Sequence, residues 1–298
     1  MRTFCNFLFF NELDILEIKL NELWNTVDAF IIQESSITHS GLPKPLYFKE
    51  NYKRFSKYFS KIIHVEIPSY YNFLSYNDFS NYCEENYNSI LFKIKNNIDK
   101  SDWFDKNVNS YFRDTFEKEY LICNNFFFKD NDIIIVGDCD EIPRKTVIEN
   151  LKKEIDDDVV YHLEHDNYWY YYNLKKLSER WFGNIVTKYK NFEKHSYTYY
   201  RTYKNGDYKR RNLYNAGWHF TYMGGLDNII KKIKSWGEQS LNKESIIYNL
   251  QHSLTKGIYE GFDIFGRPSK FQLVEITPES HPEYLYYNQE KFIEGILK

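Results

Sequence analysis

The chain has 298 residues, a net charge of −3 with acids and bases interspersed, and an aromatic content of 19%. That length buries a sizeable core in one large domain or two small ones. The mixed charge gives no nucleic-acid footprint. Asn, Lys and Ile are as abundant as Tyr and Phe, so the aromatic excess reads as general composition before it reads as sugar stacking.

Thr3 to Phe10 is predicted as a strand, too short and too interrupted (Asn6) for a signal sequence or a membrane span. Asn11 is the expected N-cap of a helix, answered by Asp14, with Leu13, Leu16, Leu20, Leu23, Trp24 and Val27 at helical spacing. Ala29 to Ile32 reads as a strand running into Gln33-Glu34-Ser35-Ser36, followed by a Gly/Pro loop carrying His39 and Lys44. Such a loop suits ligand contacts or plain exposure. Lys61 to Ile67 reads as a strand, and Tyr76 to Asn97 is helical or irregular without a decisive pattern. Val108 to Cys123 is an expected helix; its Arg113 suits a phosphate, a base, or an i,i+4 pair with Glu117.

Ile133-Ile134-Ile135-Val136 is a β-branched run, expected as a fully buried strand, and it ends in Gly137-Asp138-Cys139-Asp140-Glu141-Ile142-Pro143. Residues two apart on an extended chain point the same way, so Asp138 and Asp140 project together from the carboxyl end, where open α/β sheets bind ligands. Two hard oxygen donors there suit Mg²⁺ or Mn²⁺ holding a phosphate-bearing substrate. Capping of the next helix explains one carboxylate but poorly explains three, because like charges repel without a cation. Pro143 is expected near the start of that helix.

Val159 to Leu163 reads as a strand leading into Glu164-His165-Asp166-Asn167, and Gly217 to Tyr222 as a late strand containing His219. His219 is a packed core histidine or a metal ligand on spacing alone. Leu226 to Trp236 is an expected helix, with Lys231, Lys232 and Lys234 as its solvated face. Strands alternate with helices in the first half, which argues βαβ units; the second half is more mixed. There is no linker or repeat. Four scattered cysteines without a CxxC, and no N-x-[ST] sequon, argue a reducing, cytoplasmic setting with no thiol zinc site.

Taken in order, several blocks resemble glycosyltransferase family 17, which includes the bisecting β-1,4-N-acetylglucosaminyltransferase. They are Phe10 to Glu17, Val27 to Ser35, Thr38 to Lys44, Gly137 to Pro143, Ala216 to Tyr222 and Lys232-Ile233-Lys234-Ser235. The resemblance implies an α/β, GT-A-type Rossmann-like glycosyltransferase fold with a mixed, mostly parallel central sheet. One catalytic domain is expected over 1–298, with a nucleotide-sugar half at about 1–145 and an acceptor half at about 146–298. It further implies Mn²⁺ or Mg²⁺, a nucleotide-sugar donor (UDP-GlcNAc by family weight), a glycan acceptor and inversion to a β-linked product. Carried onto this chain, Asp138, Asp140 and His219 hold metal, while Glu34, Ser35, His39, Lys44, Arg113 and Asp138 serve the donor.

The general base lies on the sugar face opposite the leaving diphosphate, so Asp166 is the first candidate, then Glu238, then Glu141. Asp140→Ala is expected to remove metal-dependent activity with little loss of fold, as for an exposed carboxylate. One departure is that members often carry His-x-Glu after Lys-Ile-x-Ser; here Trp236-Gly237-Glu238-Gln239-Ser240 puts Glu238 in place of that His. The departure leaves open a non-catalytic carbohydrate-binding protein on a degenerate transferase fold. A haloacid-dehalogenase-like phosphotransferase also uses Asp-x-Asp, but Glu141-Ile142-Pro143 fits its motif badly.

Overall fold

The structure, a computed structural model, describes residues 1–124, 127–202 and 206–298. The first half alternates as expected: β1 (Thr3–Leu8), α1 (Leu13–Leu23), β2 (Ala29–Glu34), a one-turn helix α2 (Tyr47–Glu50) and β3 (Ile62–Glu66). The undecided stretch forms two helices, α3 (Tyr76–Glu85) and α4 (Ser89–Asp99). Ser75 and Asp78 make a capping box for α3, and the Asn88 side chain accepts from the Ile90 and Leu91 amides to start α4. Then come α5 (Asn109–Cys123), β4 (Ile133–Asp138), β5 (Glu141–Pro143), α6 (Lys145–Glu154), β6 (Val159–Trp169), β7 (Leu174–Lys176) and β8 (Trp181–Lys188). Then follow α7 (Tyr197–Thr202), β9 (Lys209–Thr221), α8 (Gly225–Ser235), α9 (Glu244–His252) and β10 (Phe271–Leu273), and short helical segments at Glu283–Tyr287 and Gln289–Gly295 close the chain.

One local expectation changes. Asn11 does not cap α1: Glu12 precedes the helix without capping it, and its carboxylate accepts from the Asn11 amide. Pro143 stands near the start of α6 as expected, directly before its N-cap Arg144, and also ends β5, where Glu141 to Pro143 pair with β9.

The described strands form one ten-stranded sheet, ordered β10-β7-β6-β8-β4-β1-β2-β3, with β9 against β6 and β5. Pairs β1–β2, β1–β4 and β2–β3 are parallel, whereas β4–β8, β6–β8, β6–β7, β5–β9 and β7–β10 are antiparallel. The sheet is therefore mixed and curled, parallel in its first half and antiparallel in its second apart from the long parallel pair β6–β9. β4 is buried on both faces as its composition demands: Ile133 and Ile135 enter one core cluster, and Ile134 and Val136 another. β6 and β9 run well past their expected ends and pair in parallel through Trp169 and Thr221. Partner strands on both sides override the polar character of Glu164 to Asn167.

α1 sits between two cores, sending Leu16, Leu20 and Leu23 to one and Ile15 and Ile18 to another. Between those faces lies Lys19, fully buried. Its Nζ donates to the carbonyls of Asp138 at 2.8 Å and Glu141 at 2.9 Å. A buried lysine is rare unless its protons are taken; here it clamps the turn that carries the acidic motif. Among the described residues, no helix is long and apolar enough to cross a membrane.

Candidate active site

A cavity of about 660 Å³ opens at the carboxyl ends of β1 and β4. Asp138, Asp140 and His219 all line it, with Lys44, His39, Lys232, Glu238 and the rings of Trp103, Tyr111, Trp181 and Trp236. Its walls draw residues from both sides of residue 145.

The aspartates are each held by a cation. Asp138 Oδ2 accepts from Arg201 Nη2 at 2.9 Å. Asp140 Oδ2 accepts from Lys232 Nζ at 2.7 Å and lies 3.6 Å from His219 Nε2. Burial alone would raise the Asp140 carboxyl; the Lys232 ammonium outweighs it and holds the pKa well below the carboxylate range. Asp140 is only 6% exposed, so the expectation of an exposed side chain is wrong. Lys232 likewise leaves the solvated face assigned to it: its ammonium also reaches Thr221 Oγ1 at 3.2 Å.

The imidazole of His219 is oriented by a chain of contacts. Trp169 Nε1 meets Asn167 Oδ1 at 3.0 Å. An indole nitrogen only donates, so the Asn167 atom is its oxygen. The same oxygen lies 3.0 Å from His219 Nδ1, which must therefore carry the proton. In the neutral ring, Nε2 then turns its lone pair toward Asp140. Trp181 stacks on the ring with centroids 4.3 Å apart.

A family model for glycosyltransferase family 17 matches residues 1–104 and 84–283. The chain belongs to glycosyltransferase family 17. No curated protein matches it. Membership in glycosyltransferase family 17 supports a glycosyltransferase activity, with a sugar donor and an acceptor, and gives no support to the phosphotransferase reading.

Of the site residues expected from the sequence, His39, Lys44, Asp138, Asp140, His219 and Glu238 are brought together in the cavity wall. His39 sits between Asp114 and Glu117, each 3.3 Å away. Burial would lower its pKa, but the two carboxylates raise it. Among the described residues, Lys44 Nζ is buried without a hydrogen-bond partner, and burial lowers its pKa. Glu238 accepts from Tyr111 Oη at 2.6 Å and from Ser240.

The other expected residues do not line this cavity. Glu34 turns away and accepts from the Phe48 amide at 2.9 Å, pairing also with His64 at 2.9 Å. The Ser35 hydroxyl accepts from the Ile37 amide at 3.3 Å. Arg113 is a loop clamp, donating to the His39 and Leu74 carbonyls. Glu141 is fully buried under the site. Burial would raise its carboxyl, yet Arg201 foremost brings it down to about 2. It also accepts from Trp181 Nε1 and the Asp138 amide, both at 2.9 Å. Asp166 faces a neighbouring groove, paired with Lys175 at 2.6 Å and Arg144 at 3.6 Å.

Arg201, Lys19 and Asn167 were not singled out in the sequence. None lies in a motif, and each acts across a long stretch of chain. Room for this network comes from glycines: a Cβ on Gly137 would meet Glu141 Oε2 at 2.5 Å, and one on Gly217 would meet His165 Cδ2 at 2.7 Å.

Proposed function

We propose that the protein is a metal-dependent inverting glycosyltransferase that moves a sugar, best assigned as N-acetylglucosamine from UDP-GlcNAc, onto a glycan hydroxyl to give a β-linked product. The observation that carries this reading is the convergence, on one wall of an aromatic-lined cavity, of Asp140, the oriented His219, Lys232 and the unpartnered Lys44 ammonium. Two electron-rich groups 3.6 Å apart suit ligands on a shared hard cation. The donor set of two carboxylates and an imidazole fits Mn²⁺ or Mg²⁺ in chemical type. Asp140 and His219 would hold the ion, with Asp138 as the further ligand. Among the described residues no three such groups converge in the present arrangement, and Asp138 is turned to Arg201. When bound, the ion supplies Lewis-acid neutralisation of the donor diphosphate.

The chain's own residues account for the rest. Lys44 has no hydrogen-bond partner, and a diphosphate oxygen would provide one. Lys232, close beside the aspartate, adds a second positive charge where negative charge grows on the leaving group. Trp103, Tyr111 and Trp236 offer faces for a nucleobase or sugar. Glu238, whose oxygens are engaged by Tyr111 and Ser240, serves this donor pocket.

The test is UDP release from UDP-GlcNAc together with thermal shifts, each with and without Mn²⁺. Saturating donor, at about 100 times its Kd, should add roughly 2.7 kcal/mol of stability. Release that continues unchanged in EDTA would refute metal dependence. Binding with no turnover, with water or with any saccharide offered, would favour the carbohydrate-binding reading.

A further inference from the structure

A second, polar groove of about 560 Å³ lies beside the main cavity, and its walls include Arg144, Glu164, Asp166, Lys175 and Arg180. The two spaces share Asn167 and Glu179. Asn167 is 2% exposed; its oxygen is fixed by Trp169 and His219, and its amide nitrogen has no partner among the described residues. His165, 3% exposed in the same wall, has two ring nitrogens without partners. Buried polar groups left this way call for a ligand or water to satisfy them. The groove's charges largely cancel: Asp166 pairs with Lys175 and Arg144, and Glu164 with Arg180 at 3.5 Å. Such a surface offers donors and acceptors without net charge, which suits hydroxyls better than anions. Glu179 is the carboxylate common to both spaces; its side chain is 40% exposed and is held by Lys176 at 3.0 Å.

We propose that this groove binds the acceptor, a neutral saccharide, and that Glu179 removes the proton of the attacking hydroxyl. The inference rests on the donor assignment of the main cavity. As the acceptor oxygen bonds to the anomeric carbon, its proton passes to the Glu179 carboxylate. The bond from that carbon to the diphosphate oxygen breaks, and its electron pair leaves with the diphosphate. Asn167, through its free N–H groups, orients a hydroxyl at the boundary.

The experiment uses the full chain with Mn²⁺, UDP-GlcNAc and four neutral probes, the p-nitrophenyl glycosides of glucose, galactose, mannose and N-acetylglucosamine. UDP binding is measured by calorimetry, glycoside binding by saturation-transfer NMR in the presence of UDP, and turnover as UDP released. Glu179→Gln should lower turnover about 100-fold, leave UDP affinity within about threefold, and abolish the decline of rate on the acid side of the pH profile. Lys175→Ala should weaken glycoside binding about tenfold with UDP affinity retained. Near-normal turnover in Glu179→Gln with UDP bound overturns the base and leaves the donor assignment standing. Binding of none of the four glycosides by the wild type overturns the groove. Failure of the wild type to bind UDP or to release it overturns the donor assignment and this inference with it.

Discussion

At the scale of single residues, the site depends on Asp140 being both buried and charged. Its carboxylate answers Lys232 and faces His219, so removal has two costs. Asp140→Ala should lose turnover and also about 3 kcal/mol of stability, because a buried ion pair is left with one member. Asp140→Asn keeps the shape and an oxygen for Lys232, so it should lose at least about 100-fold in kcat with a smaller shift in the urea midpoint. Equal midpoints for wild type and Asp140→Ala would show that the pair carries no stability. Asp138, Asp140, His219, Lys44 and His39 were legible from residue type and motif position. Lys232 was misread because a helical lysine beside Lys231 and Lys234 has the signature of a solvated face. Nothing local reveals that β9 and the Asp140 turn close over it.

At the scale of elements, α1 and β6 carry the lesson. α1 was predicted from its leucine spacing, yet Lys19 interrupts that apolar face and holds the acidic turn from behind. Lys19→Met fills the same volume but leaves the carbonyls of Asp138, Cys139 and Glu141 without their donor. It should cost about 3 kcal/mol in urea unfolding and lower donor affinity, since Asp138 and Asp140 ride on that turn. Unchanged donor affinity in a folded Lys19→Met protein would show that the turn holds its own shape. β6 shows why the residues around Asp166 cannot be assigned to faces from the sequence. A register shift between His162 and Glu164 against β8, and another between Leu163 and His165 against β9, reset the alternation of faces. A one-residue slip exchanges the two faces of a strand. Among Glu164, His165, Asp166 and Asn167, the sequence could not say which reach the main cavity; Asn167 does, and Asp166 enters the groove.

At the scale of the whole molecule, the α/β character and the parallel first half were readable from the alternation of elements. The pairing of the second half, antiparallel except for the long parallel pair β6–β9, was not, because long-range contacts decide it. Packing at this scale also sets the response to acid. Burial keeps His165 neutral down to about 3 and His281 down to about 4. Both ionise near 6.5 when unfolded, so the unfolded chain takes up protons first as pH falls. Their stabilising contribution is complete above pH 6.5 and is lost as pH drops toward 3 to 4, by up to roughly 1.4 kcal/mol per pH unit for each. Glu141 adds loss below its unfolded value near 4.5, ending near 2. Urea midpoints measured from pH 7 to pH 4 should fall steadily, and less steeply in a folded His165→Asn protein. A flat profile would mean that water reaches both rings.

The glycines at 137 and 217 give the acidic motif its narrowest tolerance. Neither takes part in chemistry, and each is defined by what it lacks. A methyl group at Gly137 would push the Glu141 carboxylate out of line, and the displacement would travel through Arg201 to Asp138; one at Gly217 would press on the Ile142 carbonyl and the His165 ring. Emptiness at two backbone positions thus constrains mutational drift around this motif as tightly as the reactive groups do.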